Sequence, residues 1–204
     1  MSARSTAPGS TTLHPQAQAT LDFWFGLERP GMKHDALVRA ALGRRYEQAA
    51  AGEHDGWCGQ ALGRLALIVL VDQVPRHLYR TDARAFATDL KAQHLAAAFF
   101  SGAAHWDAMV PLQRFYAALP WLHAEDVQRQ QAVNPVMHQC AAAVPDLDFM
   151  GRIADLYLET ITRFGCFPHR HTLRGVAPSP EEAEYLEQVW FPRRRRVVPD
   201  SPQK

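Results

Sequence analysis

The chain has 204 residues, a length typical of one domain, and its 47% apolar and 10% aromatic content is sufficient for a buried core. Its 22 basic and 21 acidic side chains almost cancel, which argues against general binding to nucleic acid or to an anionic membrane. Three widely spaced cysteines without a CxxC pair indicate free thiols in the cytoplasm, and the longest strongly apolar run, Leu65–Val71, is too short to span a bilayer.

The two ends of the chain differ from its centre in composition. Residues 1–14 are rich in Ser, Thr, Pro and Ala, lack the apolar core of a secretory signal and are expected to form a disordered tail. Residues 15–191 are predicted to form a single helical domain. Residues 192–204 contain four consecutive arginines, which are more typical of a solvated basic tail than of a nucleic-acid patch.

Three helices are predicted in the first part of the domain. Pro15 begins the first helix, which Gly26 ends, and Asp35 is expected to cap the second. The third is expected at about 59–73, where an unbroken apolar centre is typical of a central helix or a buried strand, and its length favours the helix. Pro75 should prevent this helix from continuing.

The middle of the chain predicts three more helices. Thr88 is expected to cap a helix at 89–101, and the next helix, at 109–119, should stop at Pro120. A further helix should begin near Ala124.

The last part of the domain carries clear boundary signals. Asn134–Pro135 should kink or split the helix that contains it, and Asp146 should cap an amphipathic helix that ends at Gly165. The final helix begins with a capping box formed by Ser179 and Glu182. No segment shows sustained period-two alternation, so the chain is predicted to be all-α.

Asp72 is the most informative polar residue. It lies in the last turn of the predicted third helix, where the helix dipole disfavours an anion, so a nearby arginine should compensate. We expect Arg76, Arg80 or Arg170 to contact this carboxylate, with His123 close by. Such a pair would either fasten two helix ends as a structural ion pair or leave a charged group available to a ligand.

The segment 123–126 combines His123 with Glu125 and Asp126 at a predicted helix start. Both acids suit a helix N-terminus without any function, but a histidine beside carboxylates is also typical of general acid–base catalysis. A metal site would need further ligands, and the HExxH pattern is absent from the sequence. We therefore predict no metal site here.

The loop 167–170 follows the glycine that ends the preceding helix, and it is stiffened by Pro168. His169 and Arg170 are better site candidates than the neighbouring His171, and arginine suits carboxylate or phosphate groups. Cys166 is either a nucleophile or, more commonly, a small buried thiol. Walker A, GxSxG and GxGxxG motifs are absent, so no cofactor is predicted.

Together, the polar residues at these helix ends predict a site that binds a small anionic metabolite. Arginines would hold the anion, while histidines and carboxylates would transfer protons, as in a hydrolase. The candidate catalytic residues are His123, Glu125 and His169. The candidate ligand-binding residues are Asp72, Gln73, Arg76, Tyr79, Arg80, Asp126, Arg163 and Arg170. The alternative is a helical scaffold that binds a peptide or a partner protein in a groove.

Several segments together resemble a bacterial family, domain of unknown function 924. The stretches are LDFWFG at 21–26, LALIVLVDQVPRHLYR at 65–80, ARAFATD at 83–89, LPWLHAED at 119–126, RFGCFPHR at 163–170 and SPEE at 179–182. They occur in the family's order over roughly residues 20–190. The resemblance implies an all-helical, tetratricopeptide-like array of antiparallel helices, and it implies no reaction.

Four positions depart from the residues that are usual in the family. Val74 stands where the family has Phe, His77 where it has Asn, Ala124 where it has Ser, and His171 where it has Asn. The change at Ala124 removes a hydroxyl that could cap a helix or serve in a site.

Overall fold

The computed structural model describes residues 12–28, 30–106 and 109–190, and all regular structure within these ranges is helical, which confirms the predicted all-α class. The four-arginine run and most of both predicted tails lie outside the described residues. In chain order the helices are α1 (Pro15–Phe25), α2 (Asp35–Ala50), α3 (Ala61–Ile68), α4 (Val74–Leu78), α5 (Asp89–Phe100), α6 (Pro111–Leu122), α7 (Val127–Ala143), α8 (Met150–Phe164) and α9 (Pro180–Tyr185).

The long apolar run forms the central helix of the fold. Every residue from Leu65 to Val71 is fully buried. Helices α1, α5 and α6 pack against α3, and α2 packs against the turn that follows it. A helix with apolar residues on every face is stable only when other elements pack against every face. The helical interpretation of this run is therefore confirmed, and the strand alternative is wrong.

The buried residues form two hydrophobic clusters. The first cluster includes residues of α1 to α5, and the second includes residues of α6, α7 and α8. Trp106, Tyr116 and Trp121 pack against both clusters and connect them. Among the described helices, none combines the length and the apolar character that a membrane span requires. Cys58, Cys140 and Cys166 are free, as predicted.

The prediction that Pro75 ends the third helix was wrong. A single π-helical turn, Val69–Gln73, connects α3 to α4, and Pro75 lies in the first turn of α4. A proline lacks the N–H that would bond to the carbonyl four residues earlier, which is that of Val71. The Thr88 hydroxyl donates to this carbonyl at 2.5 Å, so the oxygen keeps a partner and the chain stays helical. Thr88 is the N-cap residue of α5, as predicted, but its hydroxyl makes no capping hydrogen bond to that helix.

Two further prolines also lie inside helices. Helix α6 continues past Pro120 to Leu122, against the prediction. Helix α7 is continuous across Asn134–Pro135, so of the two predicted outcomes, a kink or a split, the split is wrong. Each proline removes one backbone hydrogen bond, at a typical cost of about 3 kcal/mol in a helix interior. Packing of α6 against α5 and α7, and of α7 against α8, outweighs that cost.

Two helix starts lie later than predicted. Helix α7 begins after Asp126, whose carboxylate accepts from the Arg129 N–H at 2.9 Å, and not near Ala124. Helix α8 begins beyond Asp146, because a short 3₁₀ turn, Pro145–Leu147, comes first. The cap at Asp126 supplies the hydrogen bond that a hydroxyl at position 124 would otherwise offer.

The boundary signals at Gly26, at Gly165 and in the capping box are confirmed. Gly26 follows α1, and Gly165 ends α8 in the left-handed conformation with φ 69°. Glycine adopts this conformation without the steric cost of a Cβ atom. Ser179 and Glu182 form the predicted capping box at the start of α9.

Candidate functional site

Two distant segments bring Asp72 and His123 together. Asp72 lies in the π turn and is fully buried, and His123 lies at the C-terminal end of α6. His123 Nδ1 is 3.0 and 3.1 Å from the two Asp72 carboxylate oxygens. The Gln73 amide also donates to Asp72. A carboxylate at Nδ1 fixes both the orientation and the tautomer of the imidazole ring.

The predicted arginine partner of Asp72 is Arg76. Its Nη1 lies 3.3 Å from Asp72 Oδ1, and the same group donates to the Asp72 backbone carbonyl. On its other side Arg76 contacts Asp89, the first residue of α5, at 3.0 and 3.2 Å. The predicted charge-assisted contact of Asp72 is thus confirmed, and Arg76 also connects the π turn to α5.

Both groups of the Asp72–His123 pair have a lowered pKa. Burial alone would raise the pKa of the Asp72 carboxyl, but the Arg76 charge and the contact with His123 outweigh it and hold the pKa at about 2. Burial first, and the Arg76 charge second, lower the pKa of His123. Since arginine stays charged, it stabilises the carboxylate and disfavours a second cation. At neutral pH the pair is an ionised Asp72 and a neutral His123.

A second buried arginine connects the loop after α8 to the same place. Arg170 is 5% exposed, and its Nη1 lies 3.6 Å from Asp89 and 3.9 Å from Glu125. Its Nη2 donates to the His123 backbone carbonyl at 3.1 Å. Asp89 is therefore shared between Arg76 and Arg170.

Glu125 holds the backbone of that loop. Its Oε1 accepts from the Phe167 N–H at 3.0 Å, and its Oε2 accepts from Arg174 at 3.0 Å. The guanidinium of Arg170 lies 4.5 and 4.8 Å from the ring centres of Phe167 and Phe86. We call the following group the buried ionic cluster: Asp72, Arg76, Asp89, His123, Glu125 and Arg170.

A cavity of about 520 Å³ lies beside His123. This volume falls within the range of small-molecule sites. Of the predicted site residues, His123 and Gln73 line the cavity. The other lining residues are mostly apolar and come from both hydrophobic clusters, from the loop after α1 and from residues 144–149: Trp24, Phe25, Leu27, Glu28, Pro30, Leu112, Phe115, Tyr116, Leu119, Val144, Asp146, Leu147, Phe149 and Met150.

Residues 11–189 match the sequence profile of a family described as bacterial protein of unknown function (DUF924). The chain belongs to this family. A solved structure of a protein of unknown function from Agrobacterium tumefaciens is 31% identical to the chain and superposes with a TM-score of 0.74. The match covers 85% of this chain and 97% of that one. No curated protein matches the chain significantly. The resemblance to DUF924 is confirmed, and neither match assigns an activity.

Two predicted ligand-binding residues of this DUF924 chain lie in a separate group around α2. Arg80 Nε donates to Asp35 at 2.7 Å, and this contact, with His77 also bonded to the carboxylate, lowers the pKa of Asp35 to about 2. Tyr79 packs edge-on against Tyr46 with ring centres 6.0 Å apart. Asp35 is the first residue of α2 and not its cap. Neither Arg80 nor Tyr79 lines the cavity.

Three other predicted residues occupy structural positions. Asp126 caps α7, and Arg163 pairs with Glu181 at 2.8 Å near the surface. His169 is half-buried, and burial followed by the Arg170 charge lowers its pKa to about 4. His169 is therefore neutral at physiological pH, and it does not line the cavity.

The sequence analysis missed two members of the site. Asp89 bridges the two buried arginines, yet its place at the start of α5 indicated only a helix boundary. Phe86, whose ring lies against Arg170, is the fourth residue of the ARAFATD stretch, which carried the only signal available for it. Some cavity walls lie in the stretches LDFWFG and LPWLHAED, but nothing in the sequence indicated that these stretches enclose a common space.

The residues considered for a metal site at 123–126 do not converge. His123 contacts Asp72, Glu125 contacts the loop after α8, and Asp126 caps α7. Cys166 does not have the electrostatics of a nucleophile, because burial and then the hydrogen bond with Glu182 raise the pKa of its thiol. Within the described residues, the group that could hold a metal ion comprises Cys166, His171 and Glu182.

Proposed function

We propose that this chain binds a small molecule in the cavity beside His123 and uses that histidine for proton transfer. The observation that carries the proposal is the hydrogen bond between the fully buried Asp72 carboxylate and Nδ1 of His123, a residue that lines the cavity. General acid–base catalysis requires a positioned titratable group at the edge of a ligand-sized, mainly apolar space.

The protonation state of His123 suits a general base. With its Nδ1–H donated to Asp72, the neutral ring has its lone pair at Nε2. Burial, and then the Arg76 charge, lower the pKa of His123 and so keep the ring neutral at physiological pH. His123 would therefore accept a proton through Nε2, and Asp72 would stabilise the imidazolium that forms, as a positioning residue.

The cavity walls suit a ligand with an apolar body and disfavour an anion, since their lining includes two acidic residues, Glu28 and Asp146. The described lining contains no lysine or arginine. The arginines that were expected to hold an anion each pair with a carboxylate already: Arg76, Arg80, Arg163 and Arg170. An anion in the cavity would meet two acidic side chains and no cation among the described lining residues, which is costly in a low-dielectric site. The proposed ligand therefore carries a neutral polar group instead of the anionic group proposed from the sequence.

The proposed reaction class is hydrolysis of an uncharged ester. His123 Nε2 would take a proton from water as the water oxygen bonds to the carbonyl carbon. The same proton would then pass to the departing alkoxide as the carbon–oxygen bond breaks. Ester and water would give acid and alcohol, and the imidazole would return to its neutral form.

Hydrolysis of p-nitrophenyl esters with acyl chains of increasing length would test this proposal. We expect His123→Gln to lower kcat/KM by roughly 100-fold or more, the usual contribution of general acid–base catalysis. His138→Gln is the matched control, because His138 also bonds to an aspartate, Asp155, at 2.9 Å, but on the surface. Folded His123→Gln protein with the native rate would refute the proposal.

Binding can be tested separately from catalysis. Octanamide has an apolar body and a neutral polar group, whereas octanoate has the same body and a charge. We expect octanamide to raise the melting temperature more than octanoate, and Leu147→Trp, which fills the cavity, to abolish the effect. Equal stabilisation of native protein and Leu147→Trp by octanamide would exclude the cavity as the binding site.

A tetratricopeptide-like scaffold for peptide binding is the second candidate function. Helices α6, α7 and α8 each pack on the next in chain order, as in stacked helical repeats. A peptide library selected against the chain would test this function. Selected peptides that bind Leu147→Trp as tightly as native protein would favour the scaffold, and competition by octanamide would favour the cavity.

A further inference from the structure

A second group of reactive side chains lies apart from the cavity, where the loop after α8 meets the start of α9. Cys166 follows the end of α8, His171 follows the 3₁₀ turn Pro168–Arg170, and Glu182 is the third residue of α9. The Cys166 sulfur lies 3.8 Å from His171 Nε2 and 3.6 Å from Glu182 Oε1. His171 Nε2 and Glu182 Oε1 are 3.0 Å apart. Three different donor atoms therefore lie at the corners of one small triangle.

We propose that Cys166, His171 and Glu182 bind a divalent transition-metal ion, with zinc(II) as the best match. Tetrahedral zinc with bonds of about 2.3 Å to sulfur and about 2.0–2.1 Å to nitrogen and oxygen would place the donor atoms roughly 3.3–3.6 Å apart. The three observed distances, 3.0, 3.6 and 3.8 Å, bracket that range. Binding would need shifts of only a few tenths of an ångström.

The backbone directs the ligands toward this point. Glu182 Oε2 accepts from the Ser179 N–H at 2.7 Å in the capping box, which leaves Oε1 facing the other two groups. The left-handed Gly165 turns the chain immediately before Cys166. His171 Nε2 is the ring atom that faces the other two groups, and among the described residues its Nδ1 is buried without a hydrogen-bond partner. The side chains of His171 and Glu182 are 13% and 14% exposed.

The donor types favour a borderline or soft cation. Magnesium and calcium prefer all-oxygen sites, whereas thiolate and imidazole ligands suit zinc, cobalt and related ions. A thiolate and a carboxylate together balance the charge of a divalent ion. The thiol proton would pass to solvent on binding, and the imidazole would bind through Nε2 in its neutral form. Three protein ligands leave the fourth tetrahedral position to water.

This site is independent of the proposed hydrolysis, and it would stabilise the loop that completes the buried ionic cluster. Phe167 and Arg170 lie between Cys166 and His171 in the chain, and both contact Glu125. A metal ion would link this loop to α9 through Glu182, while Glu125 links the same loop to the buried ionic cluster. The ligands differ from the group at 123–126, for which the sequence predicted no metal.

Titration of the untagged full-length protein with Co²⁺ would test the proposal, because a cobalt–thiolate bond gives a charge-transfer band that oxygen and nitrogen ligands lack. We expect one Co²⁺ per chain, a thiolate band, and displacement by Zn²⁺. Cys166→Ser should abolish the band. His171→Gln and Glu182→Gln should each weaken binding by at least about tenfold, the lower end of losses seen even for outer-shell substitutions. Glu182→Gln retains a capping-box residue type, so it keeps the helix start.

Matched controls separate this site from adventitious binding. Cys58→Ser removes another half-buried thiol, and His138→Gln removes an exposed histidine, so both should bind Co²⁺ as the native chain does. A native chain without the thiolate band at saturating Co²⁺ would overturn the proposal. Retention of the band in Cys166→Ser, or its loss in Cys58→Ser, would also overturn it. If Cys166→Ser fails to fold, the His171→Gln titration decides, and native affinity in that variant would overturn the assignment.

Discussion

Replacing Asp72 by asparagine would remove the one charge that the π turn places inside the protein. Asparagine has nearly the same shape, so the substitution tests the charge and not the packing. The Asp72 carboxyl has a pKa of about 2 in the folded chain against an ordinary value of 3.8. At about 1.4 kcal/mol per unit, this difference corresponds to about 2–3 kcal/mol of stability at neutral pH. Loss of one partner of a buried pair typically costs about 3–5 kcal/mol.

The pH dependence of this cost follows from the direction of the shift. Because the folded-state pKa is depressed, the stabilisation by Asp72 is complete above pH 4 and is lost as the pH falls through about 2. We therefore expect Asp72→Asn to lower the free energy of unfolding by about 2–4 kcal/mol at pH 7. Near pH 2 Asp72 is about half protonated in the folded chain and almost fully protonated in the unfolded chain, so most of its stabilisation is gone and the two proteins should differ much less.

Guanidinium denaturation of the native chain, Asp72→Asn and Asp155→Asn would measure this effect. Asp155 also bonds to a histidine, but its side chain is 58% exposed, and exposed pairs contribute about 0–1 kcal/mol. Equal costs for the two substitutions at pH 7 would refute the reasoning, since burial would then not determine the energy. A cost of Asp72→Asn that does not change between pH 7 and pH 2 would show that shape, and not charge, is responsible.

Two further predictions concern the neighbouring segments. Thr88→Val should lower the free energy of unfolding, measured in denaturant titrations, by about 1–3 kcal/mol, because it leaves the buried Val71 carbonyl without its hydroxyl donor. Thr162 is exposed, so Thr162→Val is the control and should be nearly neutral. His169 has a folded-state pKa of about 4 against 6.5, so the folded chain binds fewer protons between these values and stability falls as the pH drops from 6.5 to 4. Between pH 6.5 and pH 4 the melting temperature of His169→Gln should therefore fall less than that of the native chain. Equal falls in melting temperature for the two proteins would contradict the assignment.

The polar contacts of the site could be predicted only in part, and Asp72 shows why. The helix dipole indicated that this carboxylate needs a cation, but three arginines were equal candidates. The choice depends on whether the helix continues through Pro75. Because it does, Arg76 lies one turn after Asp72 on the same helical face and reaches it at 3.3 Å.

The features that the sequence did not indicate depend on groups far apart in the chain. The π turn depends on a hydroxyl donated by Thr88 to the Val71 carbonyl, and no local pattern marks that contact. The cavity has walls from α1, α6 and residues 144–149, which only the packing of the two hydrophobic clusters brings together. Boundary residues such as Gly165 and Ser179 were predicted correctly, because their effect is confined to neighbouring backbone groups.

The buried ionic cluster also has a consequence for the order of events in folding. Its hydrogen bonds connect residues that are widely separated in sequence: 51 positions between Asp72 and His123, and 47 between His123 and Arg170. Such contacts close long loops, and loop closure delays their formation relative to the helices. Groups that come together after the transition state affect the rate of unfolding far more than the rate of folding. Substitutions in the cluster should therefore shorten the lifetime of the native chain and leave the speed of its folding almost unchanged.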